Sequence, residues 1–486
     1  MSAELDSGFA TAGELARAIR ERRLSAVEAL DFHTARIARL NPLLNAIVIP
    51  NERAREQAAA ADAALARGEP CGPLHGVPIT IKDIFDVQGL RNTAGYPPAR
   101  DNVSTRDATV TSRMKAAGAI VIGKTNVPLL CYDWQCDSPI FGRTNNPWDR
   151  SRTPGGSTGG GAAAVAAGLS PLEIGSDAAG SIRIPSHFCG VLGLKPTEDR
   201  VSGAGHGELP GRPPGGLRHL VSFGPLARSV PDLRLALSLL EGPDGRHVEV
   251  PPVPPIGRAP EIPRPEAIRI AWMDTLPHCP TSAETAETVR AAAGALEAAG
   301  CRMERARPPD FDIEEALATW GQINGFEMGA MTPAWIRMLI RHSTFLGLGR
   351  TRWTRGLRGG FGMNPGRYFG ALAGRERLVA ALEQFLAGYD AWLLPVAAIP
   401  AFPHMRSGKS LPVDGATVPY TTAVGSYAAP FNLTGSPSVS LPAGRSAGGL
   451  PIGVQLVGAR WGEDRLLAVA ERVAEILGPF RAPPGF

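Results

Sequence analysis

A lysine at the end of an apolar run and two serines set among small residues are the groups in this sequence that could do chemistry: Lys82, Ser157 and Ser181, in that order. The run Leu74-His75-Gly76-Val77-Pro78-Ile79-Thr80-Ile81-Lys82-Asp83 has the β-branched, apolar texture of a buried strand with the lysine at its far end. Burial disfavours an ammonium ion and lowers its pKa, so a lysine so placed can be neutral near pH 7 and act as a general base. The plainer reading has Lys82 clearing the strand end and pairing with Asp83 or Asp86 in solvent.

Further on, Thr153-Pro154-Gly155-Gly156-Ser157-Thr158-Gly159-Gly160-Gly161 leads into Ala162-Ala163-Ala164-Val165-Ala166-Ala167 and stops at Gly168. A glycine-rich loop opening a helix offers free backbone N–H groups beside a positive helix end, which suits an anion or a polarised carbonyl. Gly155 to Gly159 spells G-x-S-x-G, but that nucleophile elbow needs a strand directly before it, and residues 146–154 read as a loop. A phosphate-binding loop would need a lysine that is absent here, and Gly159-x-Gly161-x-x-Ala164 lacks the strand of a dinucleotide fingerprint. In Glu173-Ile174-Gly175-Ser176-Asp177-Ala178-Ala179-Gly180-Ser181-Ile182-Arg183-Ile184-Pro185, small residues crowd Ser181. Only backbone can approach a group held at that hydroxyl, which is how main-chain N–H donors build an oxyanion hole. Asp177 and Arg183 could pair and stiffen the loop; the plainer reading is a tight turn whose small residues allow close packing.

Taken together, Lys82, the Gly-Gly-Ser-Thr-Gly-Gly loop and the Asp-Ala-Ala-Gly-Ser-Ile-Arg-Ile-Pro run resemble the amidase signature family. The resemblance implies a Ser-cisSer-Lys triad: Ser181 as nucleophile, Ser157 as the cis-peptide serine that relays the proton, and Lys82 as base. It implies an oxyanion hole from the N–H groups of Ala178, Ala179, Gly180 and Ser181, with Thr158, Asp177 and Arg183 in support. Further segments similar to the family are residues 123–126, 144–148, 189–197, 224–229, 430–437 and 450–458. The likeness therefore covers nearly the whole chain and is weakest between about 240 and 420. Two departures stand out. Thr158 replaces a commoner serine, and Ala178-Ala179 replaces a residue-glycine pair, which narrows the backbone conformations open to the oxyanion loop. A similar Asp-Ala-Ala-Gly-Ser run belongs to the branch that hydrolyses cyclic nylon oligomers.

The resemblance implies an amidase that cleaves the C–N bond of a carboxamide through a seryl acyl-enzyme, without metal or cofactor and with activity rising toward alkaline pH. Carbamate or ester cleavage is open on the same triad. An alternative is the glutamine-hydrolysing subunit of an amidotransferase complex; that subunit usually carries a glutamine where this chain has Ile184. A third is an inactive scaffold, against which the intact Lys82, Ser157 and Ser181 argue. A homodimer is expected from the resemblance alone.

Composition agrees. The net charge of +4 over 486 residues is too slight for a nucleic-acid binder. Six cysteines, Cys71, Cys131, Cys136, Cys189, Cys279 and Cys301, show no C-x-x-C pair and no metal spacing, so reduced thiols are expected. Met1 to Asp6 is polar and acidic, unlike a signal peptide, and no apolar run reaches transmembrane length, so a cytoplasmic protein is expected.

The elements that must position these groups follow from pattern. A helix is predicted over about 11–22, and a capping box from Ser25 to Glu28 opens a second to about Leu40. Asn45 to Ile49 reads as a strand, and strands and helices alternate from there. The expected fold is α/β, a large mixed β-sheet flanked by helices on both sides, in a single amidase domain spanning 1–486. Within it lie the N-terminal helices (about 1–45), a signature core (about 70–230), a variable helical pocket region (about 311–390) and a C-terminal core segment (about 390–486). The proline-rich stretch from Gly242 to Pro265 reads as a surface connection, and Ala267–Trp272, Ser282–Ala299 and Cys301–Arg305 as a βαβ unit. Between Glu327 and Glu376 no acidic residue occurs, while Arg337, Arg341, Arg350, Arg352, Arg355, Arg358 and Arg367 gather among Trp335, Phe345, Trp353 and Phe361. Such a stretch (335–367) could meet an anionic membrane or an acidic substrate; a solvated cationic face or subunit contact is the plainer reading.

Overall fold

The predicted alternation of strands and helices folds into one mixed sheet of 11 strands. The computed structural model describes residues 8–210, 217–257, 261–342 and 351–486. The strands are β1 (Ile47–Pro50), β2 (Pro78–Lys82), β3 (Ile120–Thr125), β4 (Leu172–Asp177), β5 (Leu192–Lys195), β6 (Ser222–Ala227), β7 (Arg269–Trp272), β8 (Arg302–Arg305), β9 (Ala391–Pro395), β10 (Ser438–Arg445) and β11 (Pro451–Val457). Their order across the sheet is β1-β3-β2-β4-β6-β5-β10-β11-β9-β7-β8. β2 runs parallel to both β3 and β4, with Thr80 opposite Glu173 and Ile81 opposite Ile174. β9, β7 and β8 are also mutually parallel, and the strands between β4 and β9 pair antiparallel.

Both faces of the sheet are covered, which is why its central strands are apolar without alternation. Along β9, Leu393 packs on one face with Val289 and Leu296 of the 283–298 helix and Leu467 of the 463–477 helix. Its neighbours Trp392 and Leu394 pack on the other face with Trp320, Leu378 and Leu382 of the 313–330 and 365–386 helices. The βαβ reading holds, with strands at 269–272 and 302–305 around a helix over 283–298.

Element ends differ from expectation for local reasons. β2 begins at Pro78 because Leu74 to Val77 form a turn, closed by Val77 N–H donating to Leu74 O and carried by Gly76 at φ +75°. The first helix spans Ala12–Arg20; the second has the expected Ser25/Glu28 capping box but continues through Pro42 to Leu44. The insertion is helical at Ile313–Ala330, Ala334–His342, Arg352–Gly360 and Pro365–Leu386. Of its aromatics, Trp335 is 64% exposed, whereas Trp353 is buried at 4%. Arg352 pairs with Glu314 at 3.5 Å, while Phe345 and Arg350 lie outside the described residues. Among the described residues no helix is long and apolar enough to cross a membrane.

Candidate active site

Lys82 ends β2 at the same edge where β4 ends on Ser176 and Asp177, so adjacent parallel strands deliver both to the carboxyl end of the sheet. That is where open α/β sheets place their sites. Lys82 is fully buried and does not reach Asp83 or Asp86: Asp83 pairs with Lys124 at 2.7 Å, and Asp86 accepts from Asn92 and Ser104. The amine Nζ instead contacts Ser157 Oγ at 2.8 Å, Ser176 Oγ at 3.0 Å and Ser176 O at 3.1 Å. Burial pushes its pKa below the ordinary lysine value, opposed by the nearby Cys131, Asp177 and Glu173. An ammonium ion would donate to all three oxygens; in the neutral amine two N–H groups donate to Ser176 Oγ and Ser176 O, which leaves the lone pair for the Ser157 hydroxyl.

Ser157 is carried in the loop before the helix Gly159–Ala166, and the Gly156–Ser157 peptide is cis. Every residue of that helix is buried, which its glycine and alanine composition allows. Ala163 and Ala164 face Leu40, Leu44 and Ile47, while Ala162, Val165 and Ala166 face Ile182, Val191 and Leu226. Thr158 N–H donates to Ser181 O at 3.1 Å, which ties the two serine loops together; its methyl lies where a side chain at Gly175 would be, so the extra carbon has room.

Ser181 is 8% exposed, and its hydroxyl has no hydrogen-bond partner among the described residues. Asp177 organises its loop. The carboxylate accepts from Gly180 N–H (2.6 Å), Ile182 N–H (3.0 Å), Arg183 Nε and Nη2 (both 3.0 Å) and Asn432 Nδ2 (2.9 Å). Despite its burial, the Arg183 charge and these donors hold its pKa well below the usual carboxylate range. Arg183, fully buried, also donates to Ala428 O and Gln455 Oε1. Asn432 and Gln455 thus explain the C-terminal segments: they complete the shell around the Asp177–Arg183 pair. What read as a tight turn is followed by a helix, Arg183–Cys189, whose first N–H groups are capped by Asp177.

Of the four N–H groups expected to face an oxyanion, Gly180 N–H is engaged by Asp177. Those of Ala178, Ala179 and Ser181 have no acceptor among the described residues. The two alanines are compatible with the loop because the left-handed residue is Gly180, at φ +99°, and neither alanine has a positive φ. A side chain at Gly180 would also meet Ile184 Cδ1 at 2.5 Å.

Sequence reasoning did not single out Ser176, Asn432, Gln455, Trp134 or Trp320; the two indoles donate to Ala179 O and Ala178 O, each at 2.9 Å. Cys131 adjoins Ser157 and Lys82, and burial pushes its thiol up to about 11, which makes it a neutral neighbour and not a competing thiolate. Glu173, beneath the site, accepts from Thr125 Oγ1 at 2.7 Å, and burial pushes it up to about 7. A cavity of 650 Å³ opens beside Leu130 and Tyr132, walled by His206, Leu209, Phe223 and Met328 among others. Phe223 pairs with Ser176 across β4 and β6, which sets this space next to the lysine cage.

Comparison with known proteins agrees with this geometry. The amidase family description matches residues 28–467. Indoleacetamide hydrolase of Bradyrhizobium diazoefficiens is 34% identical over 96% of this chain and 86% of its own length. A glutamyl-tRNA(Gln) amidotransferase subunit from a Synechococcus strain is 34% identical over 93% of this chain and 94% of its own. The structure of 6-aminohexanoate cyclic dimer hydrolase with its substrate superposes with a TM-score of 0.81 at 28% identity, covering 98% of this chain and 99% of that one. With a match that runs through nearly all of its length, the chain belongs to the amidase family, the amidase signature enzymes, and is a hydrolase of amides.

Proposed function

We propose that this chain hydrolyses a small carboxamide to a carboxylate and an amine or ammonia through an acyl-enzyme on Ser181. The observation that carries the reading is the lysine cage: a buried amine whose hydroxyl neighbours among the described residues are Ser176 and Ser157, with Ser157 at 2.8 Å. Neutral Lys82 takes the Ser157 proton, Ser157 takes that of Ser181, and Ser181 Oγ attacks the amide carbon. Catalytic hydrogen bonds are looser without substrate, so the Ser157–Ser181 link closes when the amide is seated. The oxyanion is held by the N–H groups of Ala178, Ala179 and Ser181, with Gly180 N–H committed to Asp177. Returning the proton along the relay to the leaving nitrogen breaks the C–N bond, and water then attacks the ester by the same route.

The 650 Å³ cavity is walled by neither serine of the relay nor the oxyanion loop, so it carries no part of this reading. We favour a stand-alone amidase over a transamidation subunit because Ile184, where that subunit usually has glutamine, is fully buried against Gly180 and offers no polar group.

The test is a panel of primary amides, anilides, carbamates, esters and glutamine, with wild type, Ser181→Ala, Ser157→Ala and Lys82→Ala assayed from acid to alkaline pH. Amine release by wild type, rising with pH and lost in all three variants, is the expected result. Full activity in Ser181→Ala, or hydrolysis of glutamine alone, overturns it.

A further inference from the structure

The oxyanion loop is held by its carbonyl oxygens. A trans peptide unit is a rigid plane in which the C=O of one residue points opposite to the N–H of the next. Fixing an oxygen therefore aims the following N–H. Asp177 O accepts from Asn432 Nδ2 at 2.8 Å, which sets the Ala178 N–H. Ala178 O accepts from Trp320 Nε1 at 2.9 Å, which sets the Ala179 N–H. Ala179 O accepts from Trp134 Nε1 at 2.9 Å, which turns the Gly180 N–H onto Asp177 Oδ1. Gly180 O accepts from Ile184 N–H at 2.7 Å, which sets Ser181 N–H. Each plane of the loop is thus fixed at its oxygen, and two of the four fixing donors are indoles.

The two indoles form one unit with a third. Trp353 makes edge contacts with Trp320 (centroids 5.4 Å) and with Trp134 (5.6 Å), and it is buried. Trp320 and Trp353 stand on the helices Ile313–Ala330 and Arg352–Gly360 of the insertion. The backbones of these helices touch: a side chain at Gly356 would fall 2.3 Å from Ala318 O, and one at Gly321 2.5 Å from Trp353 O. The insertion therefore presents Trp320 from a helix pair with no slack.

We propose that Trp320 is a positioning residue for the oxyanion hole, with Trp134 bracing the next plane of the loop, so that the helical insertion contributes to transition-state stabilisation and not only to the pocket wall. The inference rests on the acyl-enzyme reading above. It distinguishes the indole N–H from the indole ring: a wall residue acts through its ring and changes substrate binding, whereas a positioning residue acts through its N–H and changes kcat.

The experiment compares Trp320→Phe, Trp134→Phe, their double variant and Trp320→His. Phenylalanine keeps an apolar ring and loses the donor; histidine loses apolar volume but can place its Nε2–H where the indole Nε1–H stood. Each is measured for kcat, KM and affinity for a trifluoromethyl ketone that forms a tetrahedral adduct on Ser181. Removing an oxyanion donor outright costs about 10²–10³ in kcat, so loosening one is expected to cost about tenfold in Trp320→Phe; Trp134 aims the Gly180 N–H, which Asp177 already holds, so Trp134→Phe should cost less. KM should stay near the wild-type value, ketone affinity should fall in parallel with kcat, and Trp320→His should exceed Trp320→Phe in kcat. Unchanged kcat, a rise confined to KM, or Trp320→Phe outperforming Trp320→His would overturn the proposal. If one Trp320 variant unfolds, the kcat-against-KM split and the ketone affinity of the other decide. Failure of wild type to form the ketone adduct, or adduct formation by Ser181→Ala, instead overturns the underlying acyl-enzyme reading.

Discussion

Replacing Lys82 with methionine separates the two consequences of burying a base. Methionine matches the lysine stem in length and apolar character but has no proton acceptor. General-base catalysis contributes about 10²–10⁴-fold, or roughly 3–5 kcal/mol of barrier, so kcat/KM of Lys82→Met should fall at least that far. Stability should move in the opposite sense with pH. Lys82 has a native pKa lowered below its ordinary 10.5, so between the two values unfolding takes up a proton. Stability of the wild type therefore rises with pH from the native pKa up to 10.5, by about 1.4 kcal/mol per pH unit, and levels off above it. The variant lacks this contribution. Below 10.5 it should be the more stable protein by a margin that shrinks as pH rises above the native pKa, offset by a constant cost for the Ser176 oxygens that lose the lysine N–H groups. Urea unfolding of both proteins across neutral to alkaline pH reads the difference directly, with the other buried lysines cancelling. Parallel stability curves would mean that Lys82 is an ammonium ion in the native state, and the general-base argument would fail with them.

Two further expectations follow from neighbouring groups. Asp177→Asn leaves the buried Arg183 guanidinium without its counter-charge and should destabilise by about 3–5 kcal/mol, read as a lower urea midpoint; an unchanged midpoint would refute the pairing argument. Glu173→Gln removes a carboxylate that supports the Lys82 ammonium, so the Lys82 pKa should fall further and the acid limb of kcat/KM should move to lower pH; a limb that stays put or moves up would refute it.

The groups proposed to react stood out because each is chemically out of place: a lysine ending Pro-Ile-Thr-Ile, and serines among glycines and alanines. The sheet was legible from its apolar runs, and the capping box at Ser25 marked a helix start. The helix at Arg183–Cys189 was not, because its cap is Asp177, a carboxylate from several residues upstream that reaches back over the loop and leaves no local signature. The second helix runs past the expected end near Leu40 through Pro42 to Leu44, since a helix near its end can carry a proline where the lost N–H bond is a small part of its total. The indole donors escaped for a simpler reason. Trp320 lies 142 residues from the carbonyl it holds, in the stretch where resemblance was weakest, and no local pattern encodes so distant a hydrogen bond. The same holds for Asn432 and Gln455, which stood out as segments without a reason for their presence.

The lysine cage also governs timing. Lys82 is buried and its hydrogen bonds among the described residues end on Ser157 and Ser176, so in the proposed relay its proton passes to and from the nucleophile through Ser157. A seated substrate plugs that route. Whether a given enzyme molecule can react is then decided before the amide arrives, and the medium has no further say until product leaves. A molecule caught with its lysine charged holds substrate idle, and one caught neutral carries the same proton from nucleophile to leaving group without dilution by the bulk. Idle complexes should consequently accumulate at acid pH, so the acid limb should persist at saturating substrate with the pKa of the free enzyme.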